Sequence, residues 1–275
     1  MLKKSRIAVI GAGNLGGALI GGLLEAGLPV ARLRVADASA VRRRELKKTY
    51  GIDATASNVD AVSGADAIVL AVKPPVVGPA VRELAGVLTK KQLIISLAAA
   101  VPISLIEDNL DKPQPVIRAM PNLAMTVGCS ATALCQNAAA TRGHCTLAQE
   151  IFESVGMALF VDEAQMHAVT ALSGSGPAYV ALVAEAMAAG GVKMGLPAAI
   201  ATALANQTLL GTAELLLDTG IHPAVLRDQV STPGGTTIYG LHELEQQAVR
   251  GGIIAAVEAA TDRSIELSEL LKDRS

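Results

Sequence analysis

Residues 7–17 read IAVIGAGNLGG: a short apolar run, then glycines at 11, 13 and 16 opening a helix-like stretch. Few local features constrain a fold so tightly. Gly11 permits a sharp turn out of a strand, and Gly13 lets backbone approach a pyrophosphate. Gly16 allows the following helix to pack close against the strand. The helix then offers its unpaired N–H groups and positive dipole end to an anion. The plainer reading is an ordinary tight turn between strand and helix. The position straight after a first strand, with a second strand to follow, favours a dinucleotide-binding loop.

The rest of the first half supports a sheet around that loop. Short β-branched runs at 7–10, 33–36, 67–72, 93–97, 115–119, 131–135 and 158–161 alternate with helix-like stretches at 15–25, 40–48 and 79–88. This alternation predicts a parallel sheet with crossover helices. After about Glu163 the strands stop. Ser175 and Pro177 open a helix through AYVALVAEAMAAG to Gly190 and Gly191, and Pro197 opens another that Gly220 stops. TTIYGLHELEQQA and IIAAVEAATDRSIELSELLKD supply two more. The expected fold is α/β: an N-terminal Rossmann-like doubly wound parallel sheet over residues 1–164, then an all-helical dimerisation domain over 165–275. The second domain's helices are rich in Ala and Gly on several faces, so a lone copy can hardly bury them. Pairing with a second copy follows as an expectation.

Composition narrows the partners. The net charge of −2 and 2% aromatic content give neither the electrostatic footprint nor the stacking platforms that nucleic-acid binding needs. The uncharged stretches 119–141 and 164–184 contain Pro, Gly, Asn or Ser clusters that would break a lipid-exposed span. Neither nucleic acid nor membrane is therefore expected, and the chain reads as cytoplasmic. Its three cysteines, Cys129, Cys135 and Cys145, lack CxxC spacing and read as free thiols. His144 beside Cys145 has no paired ligand spacing, so no metal is expected.

Two further stretches belong with the glycine loop. The second strand runs into RVADASAVRRREL, where Asp37 stands about where an acidic residue would take a ribose 2′-hydroxyl and favour NAD(H). Ser39 and the run Arg42, Arg43, Arg44 follow at once and could hold a 2′-phosphate; an arginine run is also commonly a solvated helix face. In AIVLAVKPPVV, Ala71, Val72, Lys73 and Pro74 fall at the carboxyl end of a strand, the edge where doubly wound sheets bind ligands. Lys73 is read as a ribose or phosphate contact, against the alternative of a surface cap.

Residues 231–241, STPGGTTIYGL, pose a second anion question. Gly234 and Gly235 can bring bare N–H groups toward a ligand, and a helix beginning near Thr236 adds its positive end. Threonine hydroxyls add donors without charge. The alternative is a helix cap by Ser231, Thr232 or Thr236, worth about 1 kcal/mol. A cap needs one such residue, not a whole polar and glycine stretch, which favours a carboxylate receptor.

On GAGNLG (11–16), LAVKP (70–74), ALSGSGPAYV followed by GGVKMGLP (171–197), and HPAVLRDQVSTPGGTTIYGLHELE (222–245), the chain resembles the pyrroline-5-carboxylate reductase family over nearly its whole length. The last two stretches are specific to that family. The resemblance implies hydride transfer from NAD(P)H to C5 of 1-pyrroline-5-carboxylate, giving proline in the last step of proline biosynthesis. NADP(H) is preferred on this reading and NAD(H) is the alternative. It implies a helical domain interlocked with its twin as a dimer, stacked into a decamer in some members. By motif position Ile10, Gly11, Ala12, Gly13, Asn14, Leu15 and Gly16 meet the cofactor phosphates. Asn58 and Lys73 touch its ribose or phosphate parts, and Ala98 lies near the nicotinamide. Met120, Pro121 and Asn122 shape the nicotinamide–substrate pocket. Val230 belongs to the substrate-binding set, Thr232 and the backbone amides of Gly234, Gly235 and Thr236 grip the substrate carboxylate, and Thr237 hydrogen-bonds the ring nitrogen. Ser175 reads equally as a helix cap or a pocket donor. Leu123, Ala124, Ala100 and Asp37-Ala38 depart from the family's usual residues; glycine is common where Ala100 stands.

Two rivals remain at this level. A β-hydroxyacid dehydrogenase shares the layout but needs a lysine one turn into a glycine-opened helix, where this chain has Val180; the next lysine is Lys193. A catalytically silent nucleotide sensor would carry a damaged substrate loop, and 231–237 is intact.

Overall fold

The computed structural model describes residues 1–272. It contains a seven-stranded sheet in the order β2-β1-β3-β4-β5-β6-β7. The strands are β1 (Ile7–Ile10), β2 (Leu33–Ala36), β3 (Ala67–Leu70), β4 (Leu93–Ser96), β5 (Val116–Met120), β6 (Ser130–Gln136) and β7 (Gly156–Phe160). Strands β1 to β5 are all parallel. Apart from the exposed Arg34 and the half-buried Met120, their residues are buried on both faces: Ile7 and Val9 join one apolar cluster, Ala8 and Ile10 the other. Near-continuous aliphatic runs are what a sheet covered by helices on both sides requires.

One reversal departs from the expected parallel sheet. β6 runs antiparallel to β5, and β7 is parallel to β6. The connection 121–129 is too short for a crossover helix, so the chain turns back beside β5 instead. Helix α6 (Arg142–Glu153) then provides the crossover to β7. His144 closes a capping box with Thr141 at the start of that helix, and Cys145 Sγ donates to Gln136 Oε1 at 3.0 Å. Cys129 is exposed, Cys135 buried and Cys145 half-buried, all three unpaired.

The other helices of this half are α1 (Asn14–Glu25), α2 (Ala40–Tyr50), α3 (Asn58–Val62), α4 (Pro74–Ala85) and α5 (Ile103–Glu107). α4 begins at Pro74, not at Pro79 as the sequence suggested. Prolines suit the first helical positions, where no N–H is needed, and Pro79 is carried inside the helix.

Beyond β7 come α7 (Met166–Val169), a π-turn at Thr170–Gly174, α8 (Gly176–Lys193), α9 (Ala198–Thr219), α10 (Pro223–Gln229), α11 (Thr236–Gln246) and α12 (Val249–Lys272). α8 runs past Gly190 and Gly191 to Lys193. Gly220 ends α9 in the left-handed conformation, as expected for a C-terminal stop. No helix among the described residues is long and apolar enough to cross a membrane.

The chain divides into two compact units. The first is Met1–Ser175 with the described residues from Ala259 on, and the second is Gly176–Glu258. Met166 and Ala171 are buried in the first unit, as are Ser264 and Ser268 of α12. His167 Nδ1 and Ser264 Oγ lie 2.9 Å apart. These contacts draw the tail of α12 into the sheet unit, a link that helical periodicity alone does not reveal.

Taken by itself, the second unit has little interior. Among the described residues, Ala201 and Ala205 are its only buried apolar side chains, while Leu182, Met187, Ile200, Leu204, Leu217 and Ile254 are exposed. Helices this apolar on all sides are stable when something covers them.

Candidate functional site

In the first unit, the reversal of strand order falls between β1 and β3, since β2 lies on one side of β1 and β3 to β5 on the other. Ligands bind open α/β sheets at such switch points, beyond the carboxyl ends of the strands. The glycine loop leaves β1 there. The Gly11 amide donates to Ala36 O at 2.8 Å, and the Ala71 amide to Ile10 O at 2.8 Å, tying the three strand ends together.

Each loop glycine has its own geometric reason. Gly11 has φ +91, and a Cβ there would lie 2.6 Å from Ala71 O. At Gly16 a Cβ would lie 2.0 Å from Gly11 O and 3.1 Å from Ala71 Cβ, so the strand and α1 could not approach. A Cβ on Gly13 would meet nothing within 4 Å. That open face is where the backbone can approach a ligand, and Gly13 is also the N-cap of α1 with no side-chain cap. The cradle therefore fits a pyrophosphate, as the spacing of the three glycines requires.

The neighbouring residues are more committed than the sequence suggested. The Asp37 carboxylate accepts the Ala12 amide at 2.7 Å and the Ser39 amide at 2.8 Å, one on each oxygen. Arg42 donates from Nε to Ala12 O at 2.7 Å and from Nη2 to Gly13 O at 3.3 Å, and its Nη1 meets Glu45 Oε2 at 2.7 Å. Arg43 Nη1 donates to Asp37 O and Ala38 O. Two of the three arginines are thus turned onto backbone at the strand end, and Arg44 is exposed without a contact to the loop. The contact of Arg42 with the loop was missed in the sequence. Its signal is Gly17, a further glycine where a Cβ would lie 3.1 Å from Arg42 Nη2.

Lys73 is exposed at the N-cap of α4 and Pro74 is the first residue of that helix. Asn58 opens the short α3 and its Nδ2 donates to Glu83 Oε2 at 2.7 Å. Ala98 follows β4, its amide donating to the buried Ser96 hydroxyl at 3.3 Å. Met120 ends β5 and sits against the π-turn, where a Cβ on Gly174 would lie 2.6 Å from Met120 Cε. Asn122 is a structural node. Its Oδ1 accepts from the Ala124 amide at 3.1 Å, its Nδ2 donates to Ser173 O at 3.1 Å, and its amide donates to Ser130 Oγ at 3.2 Å. The Ser175 amide closes the π-turn on Thr170 O at 2.9 Å, and its hydroxyl makes no hydrogen bond among the described residues.

In the second unit, Val230 ends α10 and the stretch 231–235 leads into α11. Gly234 has φ +67, which favours glycine. The Gly235 amide donates to Thr232 O at 3.0 Å, and Gly235 is the N-cap of α11. The capping alternative fails here: α11 has no side-chain cap, and Ser231 Oγ instead donates back to Arg227 O at 2.8 Å. The first amides of α11 are left without an intrahelical acceptor, next to the hydroxyls of Thr236 and Thr237.

These features meet close relatives. Residues 163–267 match the family model described as pyrroline-5-carboxylate reductase dimerisation, and residues 6–100 match NADP oxidoreductase, coenzyme F420-dependent. The pyrroline-5-carboxylate reductase of Pseudomonas aeruginosa is 41% identical over 267 residues, covering 97% of this chain and 98% of the relative. The chain belongs to the pyrroline-5-carboxylate reductase family. Among solved members, the enzyme from Coxiella burnetii superposes with a TM-score of 0.92 at 37% identity, covering 96% of this chain and 98% of the other. The pyrroline carboxylate reductase of Plasmodium falciparum, solved with NADP bound, superposes with a TM-score of 0.86 at 29% identity, covering 97% and 99%. This family member is an oxidoreductase with a nicotinamide-cofactor domain.

Proposed function

We propose that the chain reduces 1-pyrroline-5-carboxylate at C5 to proline, the closing step of proline synthesis, with NADPH as the preferred donor and NADH as the alternative. The observation that carries the substrate half is the uncapped start of α11 behind Gly234 and Gly235. An anion there meets several N–H groups and a helix dipole without needing an arginine, as a small carboxylate requires. On this reading Thr232 and the amides from Gly234 to Thr236 hold the carboxylate, Val230 borders it, and Thr237 orients the imine nitrogen.

When bound, the reduced nicotinamide supplies a hydride. The glycine loop from Ile10 to Gly16 holds its phosphates, with Ala71, Val72, Lys73 and Pro74 along the β3 end. Asp37 and Ser39 face the adenosine ribose, and Arg43 is the guanidinium available to a 2′-phosphate. Asn58, released from Glu83, adds a ribose contact. Ala98, Met120 and Asn122 border the nicotinamide end, and the free Ser175 hydroxyl is a pocket donor. An iminium carbon accepts hydride readily, so the residues need chiefly to hold the reacting atoms about 3–3.5 Å apart.

The exposed apolar surface of the second unit supports a dimer through a second copy, with a decamer as the larger assembly. Light scattering tests it, and a monomer would refute it. Unpaired thiols at Cys129 and Cys145 suit the reducing cytoplasm.

Oxidation of NADPH in the presence of pyrroline-5-carboxylate, followed by absorbance with proline identified as product, tests the activity. Cofactor binding without turnover would favour the nucleotide sensor.

A further inference from the structure

The run of arginines after β2 admits two sequence readings, a 2′-phosphate site and a solvated helix face. Arg42 fits neither. Its Nε and Nη2 hydrogen-bond to the carbonyls of Ala12 and Gly13, two consecutive residues of the glycine loop. Its remaining nitrogen is held by Glu45, three residues on along α2. The side chain has space to do this because residue 17 lacks a Cβ.

We propose that Arg42 is a positioning residue for the dinucleotide loop, a guanidinium fork seated by Glu45 and Gly17 that aims the loop amides at the pyrophosphate. In a trans peptide the C=O and the following N–H point in opposite directions. Turning the Ala12 carbonyl toward α2 therefore turns the Gly13 N–H away from it. Turning the Gly13 carbonyl the same way does this for the Asn14 N–H. Asp37 holds the Ala12 amide as well, so both peptide groups of Ala12 are fixed. A planar fork can reach two carbonyls and a carboxylate at once, and an ammonium cannot reproduce that geometry. The clamp acts on the part of the cofactor that NADH and NADPH share.

The inference rests on the nicotinamide-cofactor reading, and the test separates the two. NADH and NADPH are titrated by fluorescence into wild type, Arg42→Ala, Arg42→Lys and Glu45→Gln, each checked by thermal melting. Arg42→Ala is expected to weaken both nucleotides by the same factor, about tenfold for loss of hydrogen bonds to a charged group. Arg42→Lys should recover little, and Glu45→Gln should weaken both by about threefold. In steady state KM for the cofactor rises while KM for the imine stays put. Should Arg42→Ala unfold the chain, the Lys and Gln variants carry the same comparison. A loss confined to NADPH would overturn the proposal, because Arg42 would then be reading the 2′-phosphate. Unchanged affinity for both, or full recovery by Arg42→Lys, would overturn it too. Wild type that binds neither nucleotide would refute the underlying cofactor reading itself.

Discussion

Arg118 on β5 and Cys135 on β6 face each other across the antiparallel pair, and burial drives both toward their uncharged forms. The Arg118 guanidinium is held below its ordinary range by loss of solvent. The Cys135 thiol is pushed up to about 12, first by burial and then by the Glu163 carboxylate, with Arg118 pulling the other way.

The thiol gives an alkaline prediction. Its native pKa lies above the ordinary value of 9.0, so the folded state keeps a proton that the unfolded chain gives up. That stabilisation is complete below the unfolded value and drains as pH climbs toward about 12, at roughly 1.4 kcal/mol per pH unit. Replacing Cys135 by Ala should flatten this limb in urea unfolding measured at rising pH. Parallel slopes for the two proteins would contradict the assignment. Cys129, exposed, should be alkylated well before Cys135.

Glu163 gives a second. Its Oε1 accepts the Ile103 amide at 2.7 Å and lies 3.8 Å from Arg118 Nη1. Arg118 is only 1% exposed, and its Nε and Nη2 have no partner among the described residues. Glu163→Gln keeps an acceptor for Ile103 but strips the carboxylate beside the guanidinium. A buried charge left uncompensated is costly, and with Glu163 40% exposed the loss should be about 1–3 kcal/mol. Arg118→Met removes the charge together with its need, so Glu163→Gln introduced on top of Arg118→Met should cost much less. A double-mutant cycle in denaturant reads this directly, and additive losses would argue against the coupling.

The same region marks where the sequence was legible. The strand run at 7–10 coincides with β1 because aliphatic residues buried on both faces leave an unbroken signature, while the run at 33–36 is interrupted by the exposed Arg34 and still forms β2 at the sheet edge. The reversal at β6 left none, since its direction is set by the length of one loop. The geometry of the three glycines and the uncapped helix start behind 231–235 are legible in residue type and spacing. Arg42 is not: the structure distinguishes its backbone contacts from a solvated face, and a one-dimensional run of charges looks the same either way. Likewise α12 reads as one helix, while its two ends belong to different compact units.

Ala100 gives a third prediction. It is buried and has φ +61, a left-handed conformation that costs an L-residue with a Cβ about 1–2 kcal/mol. Glycine removes that strain and loses part of the gain to the greater freedom of the unfolded chain. The balance for Ala100→Gly is a stabilisation of about 0.5–1 kcal/mol, read as a melting temperature higher by about 2–3 °C. A lower melting temperature would show that the methyl group's packing outweighs its backbone strain.

The loop before α11 gives the last prediction, because its two parts fail differently. A Cβ at Gly235 would lie 2.2 Å from Thr232 Oγ1 and 3.2 Å from Thr232 O, so Gly235→Ala must displace the hydroxyl and strain the turn. Both belong to the proposed carboxylate grip, and KM for the imine should rise by more than about tenfold. Thr237 is half-buried, and its hydroxyl makes no hydrogen bond among the described residues. Thr237→Ala should therefore leave the melting temperature alone. If that hydroxyl orients the imine nitrogen, kcat/KM falls by about 10- to 100-fold and Thr237→Ser restores most of it. Neither change should alter the affinity for NADPH, whose proposed contacts lie in the other unit. A variant that loses cofactor affinity instead would place the loop's role in assembly of the protein, and unchanged kinetics for Thr237→Ala would remove that residue from the reaction.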